Sequence, residues 1–137
     1  MAWCWCVSLN FTLQVLIPRD FYVHAAHQNV ISNLCEVLAG YKENSAFTNH
    51  HIVKLFHRIA IDCGAEVMFF QASLLALFHN ILVDPSDDAT LKELKKFAAM
   101  ITRRFFRALK ENRTMVVEAL FWKTFATARQ LSLGYGL

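Results

Sequence analysis

Breakers, charges and cysteines are all scarce in this 137-residue chain. Glycine occurs four times and proline twice, too few turn-forming positions for a β fold of many short strands. Charged residues make up 18% against 55% hydrophobic, which excludes an intrinsically disordered chain; collagen-like and low-complexity readings fall with the glycine count. There are four cysteines, Cys4, Cys6, Cys35 and Cys63. Cys4-Trp5-Cys6 has no C-x-x-C or H-x-x-x-H partner elsewhere, which argues against a zinc site and a disulfide scaffold. Cys35 and Cys63 stand among apolar residues at helical spacing, where cysteine acts as a small hydrophobe. Reduced thiols of a nuclear or cytosolic compartment fit this usage.

Catalytic signatures are missing too. His24 and His27 are three apart, His50 and His51 are adjacent, and His57 and His79 are single. No HExxH occurs, and no carboxylate stands at ligand spacing beside these pairs. Neither a glycine-rich phosphate loop nor a G-x-S-x-G elbow is present. The reading is no catalytic residue, no metal, no cofactor and no enzyme. The first charged residue is Arg19, yet the uncharged stretch before it lacks the basic n-region of a signal peptide. The run from Glu66 to Val83 approaches a membrane span in length. Gln71, Ser73, His79 and Asn80 interrupt it, so it reads as a central buried helix.

Phenylalanine, by contrast, occurs 12 times, and apolar residues recur at helical spacing. The pattern predicts five helices after an unassigned leader at 1–20. The first covers about 28–41, with Val30, Ile31, Leu34, Cys35 and Leu38 on one face. The second begins with Thr48 or Asn49 as N-cap and carries Ile52, Leu55, Phe56, Ile59 and Cys63 before Gly64 ends it. The third is expected over 65–83, stopping at Asp84-Pro85. The fourth follows the acidic cap Ser86-Asp87-Asp88 and runs to about Lys110; the fifth starts near 112–114 and ends before Gly134. Helices two and three would form one antiparallel hairpin, and four and five another. The fold class is all-α, with hairpins stacked as an armadillo- or HEAT-like α-solenoid fragment.

Two surfaces attract attention. From Lys92 to Arg113 there are eight basic and two acidic residues, a local charge of +6 that leaves −3 for the rest of a +3 chain. Helical spacing gathers Lys92, Lys95, Lys96, Arg103, Arg107 and Lys110 on one side of the fourth helix, with Phe106 close by. Lys92, Lys96, Arg103, Arg107 and Lys110 are the candidate nucleic-acid-binding residues; a solvated face or an acidic partner protein are the other readings. Leu120, Phe121, Trp122 and Lys123 are a candidate partner surface, because consecutive large aromatics on a helix cannot all face one core; burial between solenoid layers is the other reading.

The run Asn44-Ser45-Ala46-Phe47-Thr48-Asn49-His50-His51-Ile52-Val53-Lys54-Leu55-Phe56-His57-Arg58-Ile59 resembles the Timeless family of replication fork proteins. Asn44, Ser45, Thr48, Asn49, His50, His57 and Arg58 match its signature. Phe70-Gln71-Ala72-Ser73 with Leu77-Phe78, then Leu120-Phe121-Trp122-Lys123, then Gly134-Tyr135-Gly136 match in the same order. The resemblance covers about 29–136 and only a late part of a longer family helical region, so 21–137 is expected to be a partial Timeless-like region. It implies a non-catalytic nuclear scaffold that stabilises replication forks and supports the S-phase and DNA-damage checkpoint. It also implies a Tipin-like partner, with Claspin-like protein, the replicative helicase and DNA as further contacts. Neither a membrane nor a small-molecule substrate is implied.

Overall fold

The computed structural model describes Tyr22, His24 and residues 26–134. The 1–20 leader, Cys4-Trp5-Cys6 and the Tyr135-Gly136 end of the last motif lie outside the described residues. The helices are α1 (Gln28–Ala39), α2 (Ala46–His57), α3 (Ala72–Val83), α4 (Ala89–Glu111), the single turn α5 (Met115–Glu118) and α6 (Phe125–Gly134). A π-helical turn, Arg58–Asp62, prolongs α2, and a 3₁₀ turn, Glu66–Phe69, precedes α3. Every regular element among the described residues is helical. None of these helices is long and apolar enough to cross a membrane.

Helix α4 is the spine. Its 23 residues bury Leu91, Leu94, Phe97, Ala98, Ile101 and Phe105 along one stripe, as the spacing predicts. The most extensive helix contacts join α4 to α3, and then α4 to α2. The expected hairpins are therefore corrected: α3 pairs with α4 through the Asp84–Asp88 loop, while α6 packs on the 3₁₀ turn rather than along α4. The reason is that α4 has an apolar face wide enough for two neighbours. Phe56 of α2, Phe69 of the 3₁₀ turn, Phe78 of α3 and Phe97 of α4 meet in its middle. Ring centroids lie 5.0 Å apart for Phe56–Phe69, 5.7 Å for Phe69–Phe97 and 5.8 Å for Phe78–Phe97. Such tilted and edge-on pairs add about 0.5–1.5 kcal/mol each beyond area burial.

Three boundaries differ from expectation. Helix α2 starts three residues early, because the Ser45 hydroxyl accepts the Thr48 N–H at 3.1 Å and is the true N-cap. The third helix is not continuous over 65–83. Val67, Met68, Phe69, Phe70 and Gln71 are all buried in succession, which no single helical stripe allows. The chain takes a 3₁₀ turn, extends at Gln71 (φ −117°, ψ 131°) and re-enters helix at Ala72. The fifth helix is likewise split: α5 ends at Glu118, and a non-helical passage leads to Phe125.

Two junctions are fixed by single residues. Gly64 has φ +65°, the left-handed conformation that ends α2 and its π-turn and that only glycine adopts without strain. At the end of α3, Asp84 is a buried hub. Its carboxylate accepts the Tyr41 hydroxyl at 2.7 Å, the Lys42 ammonium at 2.8 Å and the Ser86 N–H at 2.9 Å. Lys42, then Tyr41 and Ser86, hold its carboxyl well below the usual carboxylate range. Asp88 is the N-cap residue of α4 by position, but its side chain makes no capping bond. Lys95 secures that loop instead, donating to the carbonyls of Asp84 (2.5 Å) and Ser86 (2.9 Å).

Candidate partner-binding surfaces

The first surface is built on the break before α3. Leaving helix at Phe70 and Gln71 strands backbone groups that a buried site must satisfy. The passage after α5 supplies the partners. Lys123 is 4% exposed, and its ammonium donates to the carbonyls of Phe70 (3.1 Å), Glu118 (2.6 Å) and Phe121 (3.2 Å). The Ala72 N–H donates to the Ala119 carbonyl at 2.7 Å. Burial lowers the Lys123 pKa from its ordinary value, opposed by the nearby Glu118. Lys123 therefore lies beneath the surface it was expected to share. Trp122 is half-buried and packs on the core.

Leu120 and Phe121 remain outside. They are more than half exposed, as are Val116 and Val117 one turn earlier. Backbone bonds from Leu120 N to Val117 O and from Phe121 N to Glu118 O continue the coil of α5. The four side chains are thus spaced i, i+1, i+4 and i+5 along one coil and share a side. Two things were hidden from the sequence: the residues flanking the motif that enlarge the apolar patch, and the lysine that anchors it.

The second surface is the basic side of α4. Lys96, Arg103, Arg107 and Lys110 are exposed and make no ion pair among the described residues. Lys92 pairs with Asp87 at 3.1 Å, both well exposed, a contact worth little in water. Arg104, on the flank of that side, forms an ion pair with Glu66. Phe106 stands on the basic side, more than half exposed.

The run beginning Asn44-Ser45 forms the joint between α1 and α2. The Asn44 amide donates to the Val37 carbonyl (2.7 Å) and to Asn49 Oδ1 (3.1 Å), and buried Asn49 donates to the Tyr41 carbonyl (2.7 Å). The Thr48 hydroxyl bonds that of Ser45 at 2.9 Å. His50 Nδ1 meets Glu93 Oε2 of α4 at 2.7 Å, which ties the joint to the spine. Arg58 pairs with Asp62 at 3.3 Å and lies over the Tyr22 ring, while His57 is exposed. Asn44, Asn49 and His50 thus link neighbouring helices.

A model of the TOF1-like helical domain matches residues 28–130. The chain belongs to the Timeless/TOF1 family. It is 41% identical over 117 residues to the protein timeless homolog of Homo sapiens, covering 85% of this chain and 10% of that protein. The timeless homolog of Caenorhabditis elegans is 30% identical over 107 residues, 73% of this chain and 8% of that protein. Topoisomerase 1-associated factor 1 of Emericella nidulans is 26% identical over 121 residues, 84% of this chain and 10% of that protein. The chain thus spans about a tenth of the length of the relatives it matches.

Within this Timeless/TOF1 segment, Phe70-Gln71-Ala72-Ser73 and Leu120-Phe121-Trp122-Lys123 are two halves of one clasp. The Asn44–Asn49 run is the α1–α2 joint. Among the described residues no group of three or more His, Cys, Asp or Glu side chains is placed to hold a metal ion. The Cys35 thiol is pushed up to about 12 by burial and by neighbouring Glu36, so at neutral pH it is protonated and a poor nucleophile.

Proposed function

We propose that this chain is a non-catalytic layer of a nuclear fork-protection scaffold, a solenoid-type segment that docks a Tipin-like partner. In that role it stabilises replication forks and supports the S-phase and DNA-damage checkpoint. A Claspin-like protein, the replicative helicase and DNA would be contacts of the wider assembly. Membership of the Timeless/TOF1 family supports this reading. The observation that carries the docking surface is the exposed apolar patch of Val116, Val117, Leu120 and Phe121 on a coil pinned by Lys123. Exposed aromatics on a rigid support are the usual anchors of protein interfaces, because little entropy is lost when they are covered.

The test is capture of a purified Tipin-like protein by the chain carrying Leu120→Asp with Phe121→Asp. Capture should be lost while the circular dichroism spectrum and melting temperature are retained. Undiminished capture removes this surface. Trp122→Ala is the poorer probe, because Trp122 packs on the core. A second reading, contact with a polyanion, rests on Lys96, Arg103, Arg107 and Lys110 having no counter-charge among the described residues. The apolar surface between those cations narrows the polyanion's chemistry.

A further inference from the structure

An open groove of about 530 Å³ runs between the end of α3 and the outer side of α4. Its floor is aliphatic: Leu82 from α3, and Ala99 and Met100 from α4. Its rim is cationic: Lys96, Arg103 and Arg107. Phe106 shares the helix side that carries Ala99 and Arg103, and it is 54% exposed. The groove shares no residue with the Leu120–Phe121 patch.

The other two cations of the lining have internal partners. Lys95 is spent on the Asp84 and Ser86 carbonyls and Arg104 on Glu66. What remains is three cations that make no ion pair among the described residues, separated by seven and four residues. At a rise of about 1.5 Å per residue they stand roughly 10 Å and 6 Å apart along α4. Two turns and one turn of a second helix have the same lengths, so carboxylates at those intervals would meet all three. Two of the three are arginines, whose planar forks bind carboxylates bidentately.

The floor separates acidic peptide from nucleic acid. A phosphodiester backbone gains nothing from a leucine and a thioether beneath it. Single-strand recognition stacks bases on a series of aromatic faces, and this face offers one, Phe106. An amphipathic helix satisfies both layers: its apolar ridge covers Leu82, Ala99 and Met100, and its flanking carboxylates reach the rim. We propose that the α3–α4 groove is a docking site for an acidic amphipathic helix of a partner protein.

The test is fluorescence anisotropy with the full 137-residue chain and four labelled probes. One is a synthetic helix of about 16 residues, three turns and more, with a leucine ridge and glutamates seven and four apart. The second is its scramble, of equal composition and charge but with no apolar face. The third and fourth are an oligo-dT strand and a DNA duplex of matching length. The amphipathic helix should bind about tenfold tighter than the scramble. Arg103→Glu with Arg107→Glu should weaken it at least about tenfold, by removing two attractive charges and adding two repulsive ones. Met100→Ala should weaken the helix and leave the scramble unchanged. Arg103→Gln with Arg107→Gln, a milder change at two exposed positions, should also weaken the helix and guards against a folding defect in the reversed-charge variant. Equal binding of helix and scramble would overturn the proposal. Tighter binding of either DNA would convert the face into a nucleic-acid site, and an unchanged affinity in both double variants would make it merely solvated.

Discussion

Lys123 reaches across 53 positions of sequence to the Phe70 carbonyl, 3.1 Å from its ammonium nitrogen. This contact explains why α3 can start late. The helix breaks at a buried place, where an unmade backbone bond costs about 1–3 kcal/mol, and a cation from a distant turn closes the gap. The same ammonium accepts no further task, since each of its three protons faces a carbonyl.

Lys123→Met should therefore destabilise the chain by about 3 kcal/mol, because three carbonyls lose a charged donor and at least one is buried. Urea denaturation followed by circular dichroism reads this directly. A loss below about 0.5 kcal/mol, the scale of an ordinary surface change, would mean that water replaces the ammonium.

Asp84 should make stability acid-sensitive. Its folded-state pKa lies below the unfolded value of about 3.9 because Lys42, Tyr41 and Ser86 favour the carboxylate. The unfolded chain therefore takes up the proton first as pH falls. The Asp84 contribution is complete above about pH 5, then declines through pH 4 and below. Denaturant midpoints between pH 7 and pH 3 should fall less steeply for Asp84→Asn than for the native chain. The variant should also be weaker at pH 7. Parallel pH profiles would remove Asp84 as the sensor.

Gly64→Ala should cost about 1–2 kcal/mol from backbone strain alone. A Cβ at this position meets no neighbour within 4 Å, so crowding adds nothing. A neutral or stabilising result in thermal denaturation would show that the turn relaxes out of the left-handed region.

Two substitutions separate capping from burial in the α1–α2 joint. Ser45→Ala removes the N-cap bond to Thr48 and should cost about 1 kcal/mol. Asn49→Ala strips a partner from the Tyr41 carbonyl and from Asn44 and should cost about 2 kcal/mol. Chemical denaturation of the two single variants ranks them, and a reversed order would contradict the assignment.

Iodoacetamide at pH 8 should leave Cys35 unmodified in the folded chain, since its pKa of about 12 keeps the thiolate scarce. Peptide mass spectrometry with and without urea reads the contrast. Equal labelling in both would mean that the α1 face opens freely.

Helix α4 was the most legible element, since one stripe of apolar residues and one of cations repeat at a single period for 23 residues. The stretch from Val67 to Gln71 was not, because five successive buried positions erase the period that marks a helix. The Ser45 cap was obscured by Thr48 and Asn49, equally good capping types that the fold uses for other bonds. Aromatic crowding implied that some of Leu120–Lys123 face a second neighbour or a partner, but it left burial between layers open, and the premise of a continuous helix there was mistaken. Nothing near Lys123 marks it as buried, because its partners converge only in three dimensions. For the same reason the loss of Lys95 from the basic face had no signal in spacing.

The spine has one consequence for how the molecule comes apart. In a chain of units that each touch only the next, melting can begin at one end and advance piecemeal. Here α4 contacts α2, α3, the 3₁₀ turn and α5, and the Phe70–Lys123 clasp ties the last third of the chain to the middle. Loosening α2, α3 or the 3₁₀ turn exposes part of the same phenylalanine cluster. Amide protons of α2, α3 and α4 should then exchange with one shared opening energy, as a single foldon.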